Sequence, residues 1–292
     1  MKLTGKLSDK KITLSFEVFP PKADADFESV KQAAYRVAEL KPDYMSVTYG
    51  AGGSTSRNTI ALAEGIQKEF GVTTVAHLTC VGATKDSIKD SLTQMKNAGI
   101  ENILALRGDR PKWMEGEPFT DFHYASDLVE AIKDFGGFCV GGACYPEGHP
   151  DAPNKTEDIK NLKRKVDAGC DFLTTQMFFD NNIFYNFLYR ARSAGIEVPV
   201  IPGIMPITRA TQVANAIRLS GCNMPERFRN IVDRFGGCSD AMLQAGIIYA
   251  SEQIIDLLAN GITNIHVYSM NNAKVVKGIQ DNLSDVVKIN IE

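Results

Sequence analysis

An acidic residue interrupts the apolar segment SFEVFPPK at residues 15–22, where Glu17 follows a phenylalanine and precedes a valine. Burial removes water from a carboxylate and thereby favours its protonated form, so we expect a raised pKa at Glu17. A carboxylic acid that keeps its proton near neutral pH can donate that proton to a bound substrate. The segment therefore predicts a general acid at Glu17. An ion pair with Arg107 is the alternative.

Polar side chains also mark the ends of the other strand-like segments. Side chains alternate between the two faces of a strand, and one face is polar near the end of most of these segments. The residues on that face are Ser46, Thr48, His77, Thr79, Arg107, Asp109, Tyr145, Thr174, Gln176, His266 and Tyr268. Because burial of an unpaired polar group costs about 2–7 kcal/mol, a convergence of so many predicts a functional site.

A second group of candidates lies on a predicted helix after the fifth strand-like segment. Asp158, Asn161 and Lys165 are spaced i, i+3, i+7, which places them on one helical stripe. Arg164 and Lys165 could bind a pyrophosphate through charge-assisted hydrogen bonds. The alternative is a merely solvated helix face.

Two loop motifs limit how a dinucleotide could bind. The segment YPEGHP contains Tyr145 and His149, and its two prolines favour a fixed turn. The Gly-rich segment YGAGGST at 49–55 lacks the G-x-G-x-x-G spacing of a Rossmann domain. A dinucleotide would therefore bind in some other kind of fold.

The elements that position these residues alternate along the chain. Eight strand candidates cover 13–19, 44–49, 73–80, 102–108, 138–145, 171–179, 198–206 and 264–270. Helical segments lie between them, including 26–40, 55–69, 84–98, 155–168 and 182–194, with extra helix in 207–263 and a last helix after 271. Eight such units without a composition break predict an α/β fold, a single (β/α)8 TIM barrel over residues 1–292. A doubly wound open sheet is the alternative.

Composition excludes several other classes of protein. The net charge is −3 without a basic block, which argues against nucleic-acid binding. No apolar run approaches the roughly 20 residues that span a membrane, and the charged N-terminus has no apolar signal segment behind it. We therefore expect a cytoplasmic protein. The six cysteines form no C-x-x-C pair, so we expect buried thiols and no metal site.

Together these segments resemble one family over essentially the whole chain. The matching stretches are SFEVFPPK, SVTYGAGGSTSRNT, AHLTC, LALRGD, YASDLV, YPEGHP, NLKRKVDAGCDFLTTQMFFD and PGIMPI. The chain resembles methylenetetrahydrofolate reductase in its bacterial, single-domain flavoprotein form. The resemblance implies FAD at the C-terminal rim of the barrel, NADH or NADPH as electron donor, 5,10-methylenetetrahydrofolate as substrate, and a homo-oligomer.

The resemblance also implies roles for individual residues. Glu17 would be the general acid, and the second catalytic residue, Asp109, would face both flavin and folate. Gln176 would contact the folate and the nicotinamide donor, and Thr48 and Gln212 would also contact substrate. The implied flavin-binding residues are Thr48, Tyr49, His77, Arg107, Gly108, Asp109, Tyr124, Ala125, Tyr145, His149, Ala152, Asp158, Asn161, Arg164 and Lys165.

Three features depart from the family pattern. Asn272 stands where an arginine grips the folate, and Ala216 replaces an aromatic residue that stacks on ligand. The loop 110–123, which contains Trp113, is longer than usual. These departures leave three alternatives open: electrons from a partner flavoprotein or ferredoxin subunit, a binding protein without turnover, and a pterin-binding methyltransferase barrel without FAD.

Overall fold

The computed structural model describes residues 1–8, 11–21, 26–49, 55–110 and 116–289, with only the backbone at 55, 56 and 219. Trp113 and residues 50–54 of the Gly-rich segment lie outside these ranges. Within them the strands are β1 Thr13–Val18, β2 Tyr44–Val47, β3 Thr73–Thr79, β4 Asn102–Leu106, β5 Cys139–Cys144, β6 Phe172–Thr175, β7 Val200–Ile201, β8 Gly203–Ile204 and β9 Asn264–Tyr268.

The helices alternate with these strands, as predicted. In the described part of the chain they are α1 Leu3–Ser8, α2 Phe27–Ala38, α3 Thr55–Phe70, α4 Lys85–Asn97, α5 Ala125–Phe135, α6 Lys155–Asp167, α7 Asn181–Ser193, α8 Thr211–Ser220, α9 Glu226–Phe235, α10 Ser239–Ala259 and α11 Ala273–Asn282. Polar side chains cap several N-termini; Asn154, for example, accepts hydrogen bonds from the backbone of Thr156 and Glu157 at the start of α6.

The parallel strands close into a barrel, which confirms the predicted fold. The sheet order is β7-β6-β5-β4-β3-β2-β1-β9-β8, and each ladder is parallel. β7 and β8 are the two halves of the predicted seventh strand, separated by Pro202, which has no N–H for a ladder. The first half pairs with β6 and the second with β9, so the nine segments occupy eight positions of one barrel.

The N-terminal end of the barrel is filled by apolar side chains. Tyr44, Val75, Leu104 and Phe172 come from the starts of four strands and pack with Leu3 and Leu7 of α1 in one buried cluster. Asn102 fixes this helix, because its side chain accepts from the backbone N–H of Leu3 and donates to the backbone oxygen of Met1. Sequence inspection had not predicted α1.

The sixth strand is shorter than predicted. It ends at Thr175, and the following residues turn away from the sheet, so that Phe179 packs with Phe228 and Tyr249 in a second apolar cluster. This cluster holds α8, α9 and α10, the extra helices expected in 207–263.

Two expectations concern solvent and thiols. Five of the six cysteines are buried and all are unpaired with one another, as expected, whereas Cys238 is exposed. Among the described residues no helix is both long enough and apolar enough to traverse a membrane.

Candidate active site

Glu17 lies at the C-terminal end of β1 and faces the barrel interior. Its neighbours in the ladders are Ser46 on β2 and Tyr268 on β9. The Oε2 atom lies 3.3 Å from Ser46 Oγ, 3.5 Å from His77 Nε2 and 3.8 Å from His266 Nε2. The two imidazoles are almost fully buried, but 21% of the Glu17 side chain is exposed. The carboxyl group is therefore accessible from the mouth of the barrel.

The partners of Glu17 differ from those considered in the sequence. Arg107, the alternative ion-pair partner, instead contacts Asp151, with 3.1 Å between Nη1 and Oδ2. The imidazoles of His77 and His266 take its place. They come from β3 and β9, the second of which reaches β1 only because the barrel closes.

The expected rise in the pKa of Glu17 is wrong. Burial does raise the pKa, but a hydrogen bond from His266, the charges of His77 and His266, and Ser46 together hold it below its ordinary value. Burial is also the main reason why the pKa of His77 is lowered. His77 is therefore mostly neutral near pH 7, and at that pH His266 and Ser46 are the groups that stabilise the carboxylate.

The backbone that carries Glu17 is held by the segment after β9. Ser269 donates a hydrogen bond of 2.6 Å to the backbone oxygen of Glu17. The Asn271 amide accepts from the N–H of Phe19 and donates to its oxygen, at 2.9 and 3.0 Å. Met270 and Asn271 both have positive φ angles, 52° and 54°, a strained conformation that recurs at functional sites. Sequence reasoning missed this clamp; the tolerance of Asn for left-handed backbone was its only signal.

Arg107 organises a second region of the rim. Its guanidinium lies 4.3 Å from the ring centroid of Phe119 and 6.0 Å from that of Tyr124. These residues line a cavity of about 650 Å³ together with Asp127, which accepts backbone hydrogen bonds from His123 and Tyr124. Tyr124 is 65% exposed. A cation beside two aromatic rings suits a planar, anionic ligand.

The loop after β5 forms the predicted fixed turn. The rings of Tyr145 and His149 meet edge to face with centroids 4.5 Å apart. His149 Nδ1 accepts from the N–H of Asp151, and its oxygen accepts from Ala152. Burial, with the charge of Asp109 as the next cause, raises the pKa of Tyr145 to about 12. The turn and Asp109 therefore belong to one region.

The predicted stripe on α6 is divided. Lys165 turns inward and donates to the backbone oxygen of Ala143 on β5. Asp158 is half-buried, and burial raises its pKa. Asn161 and Arg164 are exposed and hydrogen-bonded to each other at 3.0 Å. Only the first pair lies against the strand.

Gln176 and Gln212 lie at different places on the rim. Gln176 follows β6, and its side-chain oxygen accepts from the next N–H, that of Met177. The Gln212 oxygen accepts from the N–H groups of Thr208 and Arg209 at 2.9 Å each, which leaves its NH₂ group for a ligand. Gln212 lines a cavity of about 270 Å³ that also touches Tyr268, Arg209, Asp240 and Asn272.

The remaining predicted residues occupy short connections at the same end of the barrel. Thr48 and Tyr49 follow β2, Gly108 and Asp109 follow β4, and Ala125 begins α5. Gly108 has a φ of 79°, and a Cβ there would lie 2.8 Å from Val81. The site residues thus form three regions: the Glu17 cluster, the Arg107 region with the β5–α6 loop, and the Gln212 cavity.

Comparison with known proteins identifies the family. A family model described as methylenetetrahydrofolate reductase matches residues 2–284. Methylenetetrahydrofolate reductase 1 of Schizosaccharomyces pombe is 37% identical over 307 residues, which cover 99% of this chain and 51% of that protein. The 5,10-methylenetetrahydrofolate reductase of Escherichia coli is 35% identical over 264 residues, which cover 90% of this chain and 88% of that protein. The chain thus spans about half the length of the yeast relative and most of the bacterial one.

A solved structure supports the fold. An uncharacterized protein from Clostridium thermocellum, described as binding two copies of 5-methyl-5,6,7,8-tetrahydrofolic acid, superposes with a TM-score of 0.69. The match covers 98% of both chains at 16% identity, so it supports the barrel and nothing finer. The family match over nearly the whole length, together with the bacterial relative, shows that the chain belongs to the methylenetetrahydrofolate reductase family.

Proposed function

We propose that the chain is a flavin-dependent reductase that converts 5,10-methylenetetrahydrofolate to 5-methyltetrahydrofolate. The observation that carries this proposal is the position of Glu17, a partly exposed carboxyl group in contact with two buried imidazoles at the mouth of the barrel. A proton donor at an open barrel end is what the opening of the folate's five-membered ring requires.

The residues of the Arg107 region fit FAD. Arg107 and Lys165 supply cations for the pyrophosphate, and the exposed ring of Tyr124 supplies a surface for a planar group. The other flavin contacts fall to the fifteen residues that the family resemblance implied. When bound, the flavin supplies hydride transfer from NADH or NADPH to the folate. The chain contributes orientation and electrostatics.

Glu17 acts on the folate itself. A proton delivered to the nitrogen that leaves, N10, breaks the bond between N10 and the one-carbon unit and leaves a 5-iminium cation. Asp109 lies exposed at the rim, where its carboxylate stabilises that cation. Hydride addition then gives the 5-methyl product. Gln176 orients substrate and donor.

The Gln212 cavity is assigned to the tail of the folate. Asn272 begins α11 as its cap, because its Oδ1 accepts from Lys274 and Val275, so it offers no cation. Arg209 lines the same cavity, and within the described ranges no ion pair engages its guanidinium. Asp240 faces the cavity as well. Arg209 therefore takes the carboxylate contact that position 272 has lost.

A partner subunit as electron donor is the second candidate. Ala216 is 3% exposed and packs with Met224 and Phe228, so position 216 places no aromatic ring in the rim. Such a rim offers less for the adenine of a nicotinamide donor. Electrons would then arrive from a reduced flavoprotein or ferredoxin.

The visible spectrum of the purified protein tests the proposal. Flavin bands that NADH or NADPH bleaches under anaerobic conditions support a self-sufficient reductase. Bands that only a chemical reductant bleaches favour the partner subunit. A protein that binds no flavin even after FAD is added contradicts the proposed function.

A further inference from the structure

We propose that His266 is the proton reservoir for Glu17 and that the Ser46 hydroxyl carries the proton between them. The inference rests on the proposed function, because it assigns a source to the proton that Glu17 delivers. It also answers a conflict in the site: the surroundings of Glu17 favour its anion, whereas a general acid has to hold a proton when the substrate is bound.

The hydrogen bonds around His266 fix which nitrogen can exchange a proton. Ser15 Oγ donates to the backbone oxygen of Ile265 at 3.0 Å. Its single proton is thereby used, so at 2.7 Å from His266 Nδ1 it acts as the acceptor. Nδ1 therefore keeps its hydrogen, and Nε2 is the atom that gains or loses one.

Ser46 bridges this nitrogen and the carboxyl group. Its Oγ lies 3.1 Å from His266 Nε2 and 3.3 Å from Glu17 Oε2. The direct distance between Nε2 and Oε2 is 3.8 Å, which is too long for a hydrogen bond. A hydroxyl can accept one proton while it gives up another. The bridge is therefore complete in the folded chain.

The transfer balances without any other reactant. The N–H bond at His266 Nε2 breaks as its proton passes to Ser46 Oγ. The original hydroxyl proton of Ser46 moves to Glu17 Oε2 and forms the carboxylic acid. The pair changes from a cation and an anion to two neutral groups, Ser46 is regenerated, and no electron changes place.

Substrate binding supplies the reason for the transfer. The free site leaves 21% of Glu17 in water, which stabilises the separated charges. A ligand over the mouth of the barrel removes that water, and in a low dielectric the neutral pair costs less to bury than the ion pair. The proton then moves to Glu17, where the folate needs it.

The other titratable groups around the pair are unsuited to this role. His77 is held neutral by burial, and its Nε2 has no hydrogen-bond partner among the described residues. Tyr44 stacks on His266 with centroids 6.0 Å apart, and Tyr268 meets it edge-on at 5.5 Å. Burial raises the pKa of Tyr268 well above its ordinary value, and that of Tyr44 is raised for the same reason. Neither phenol supplies a proton before His266 does.

Nitrogen-15 NMR of the histidine side chains tests the reservoir in the ligand-free protein at pH 7. The His266 signal is assigned by its loss in His266→Gln. We expect a protonated Nε2 in the wild type and a largely neutral ring in Glu17→Gln, which lacks the anion. An unchanged His266 signal in Glu17→Gln overturns the proposal, and this result does not depend on folate. Addition of 5-methyltetrahydrofolate to the wild type should remove the Nε2 proton.

Rapid kinetics test the bridge. Ser46→Ala should slow reoxidation of the reduced enzyme by 5,10-methylenetetrahydrofolate by about 100-fold, a typical effect of lost acid catalysis. Reduction of the flavin should be unchanged, and Ser46→Thr, which keeps a hydroxyl, should recover most of the rate. Ser251→Ala is the matched control, because it deletes a buried hydroxyl that contacts Ile247 and Asn282 on other elements.

The outcomes separate the two proposals. A wild-type folate rate in Ser46→Ala overturns the relay while the reductase stands. A wild-type enzyme that fails to reduce the folate contradicts the proposed function, and the NMR comparison of wild type with Glu17→Gln then still decides whether the two groups share a proton.

Discussion

Glu17 and His266 face each other inside the barrel, with Oε2 and Nε2 3.8 Å apart and Ser46 Oγ between them. The two residues belong to the first and last strands, which pair only on closure. The acid–base chemistry of the site therefore depends on the closed fold. His77, 3.5 Å from the same carboxylate, adds a group whose protonation the fold opposes.

This opposition predicts a pH dependence of stability. The pKa of His77 in the folded chain lies below 6.5, its ordinary value, so the unfolded chain binds this proton first as the pH falls. The free energy of unfolding should therefore decrease as the pH drops below about 6.5. Glu17, whose pKa lies below its ordinary 4.5, should add a further loss below that pH. Urea unfolding of wild type and His77→Gln between pH 7 and 5 measures the first part, which should be absent from the variant. Equal pH slopes for the two proteins would contradict the assignment.

Arg107→Lys should weaken FAD binding. Lysine keeps the charge but loses the planar group that lies over Phe119 and the fork that contacts Asp151 and the His123 oxygen. Loss of a charge-assisted hydrogen bond costs about 1.5–3 kcal/mol, which corresponds to a Kd roughly 10- to 100-fold higher. Titration of apoprotein with FAD, followed by flavin fluorescence, measures the change. Arg36→Lys on α2, away from the rim, is the control, and equal affinities for Arg107→Lys and wild type would remove Arg107 from the cofactor site.

Arg209→Ala should weaken binding of the folate with little effect on flavin reduction. Loss of a contact between a guanidinium and a carboxylate should raise the folate Kd by about 10-fold or more. Equilibrium binding of 5-methyltetrahydrofolate provides the readout. Arg218→Ala, on the same helix and hydrogen-bonded only to Asn215 among the described residues, should bind as the wild type does. Matching affinities in the two variants would rule out the assigned tail site.

Gly141→Ala should destabilise the barrel. A Cβ at Gly141 would lie 2.3 Å from the ring of Phe172, which is almost fully buried in the barrel interior. Overpacking of this kind costs about 1–3 kcal/mol. Gly5→Ala is the control, because its Cβ would meet nothing within 4 Å and alanine favours the helix. Urea unfolding should separate the two variants, and equal stability would mean that the ring moves aside at little cost.

The sequence predicted the barrel because its evidence is local. Short strands alternate with helices that end at glycines, and the expected helix stops at Gly99, Gly169, Gly195 and Gly261 all have positive φ angles. The division of the seventh strand at Pro202 follows from the missing N–H of proline, which was visible in the sequence but not used. The helix Leu3–Ser8 was missed because six residues with two lysines give no helical period.

The candidate site was predictable in its residues but not in its electrostatics. Glu17 was identified from its apolar surroundings, yet the direction of its pKa was wrong. Two imidazoles and a hydroxyl on other strands outweigh burial, and their distances depend on strand register. The same holds for Asn271, whose clamp on Phe19 joins residues 252 positions apart.

The reaction of the reduced enzyme with 5,10-methylenetetrahydrofolate tests the central claim most directly. Wild type and Glu17→Gln are loaded with FAD, reduced with dithionite in the absence of oxygen, and mixed with the folate while the flavin absorbance is followed. The account predicts rapid return of the oxidised flavin bands in the wild type and no return in Glu17→Gln, with both proteins binding FAD and Glu64→Gln, a surface control, behaving as wild type. Reoxidation of Glu17→Gln at the wild-type rate would contradict the assignment of Glu17 as the general acid.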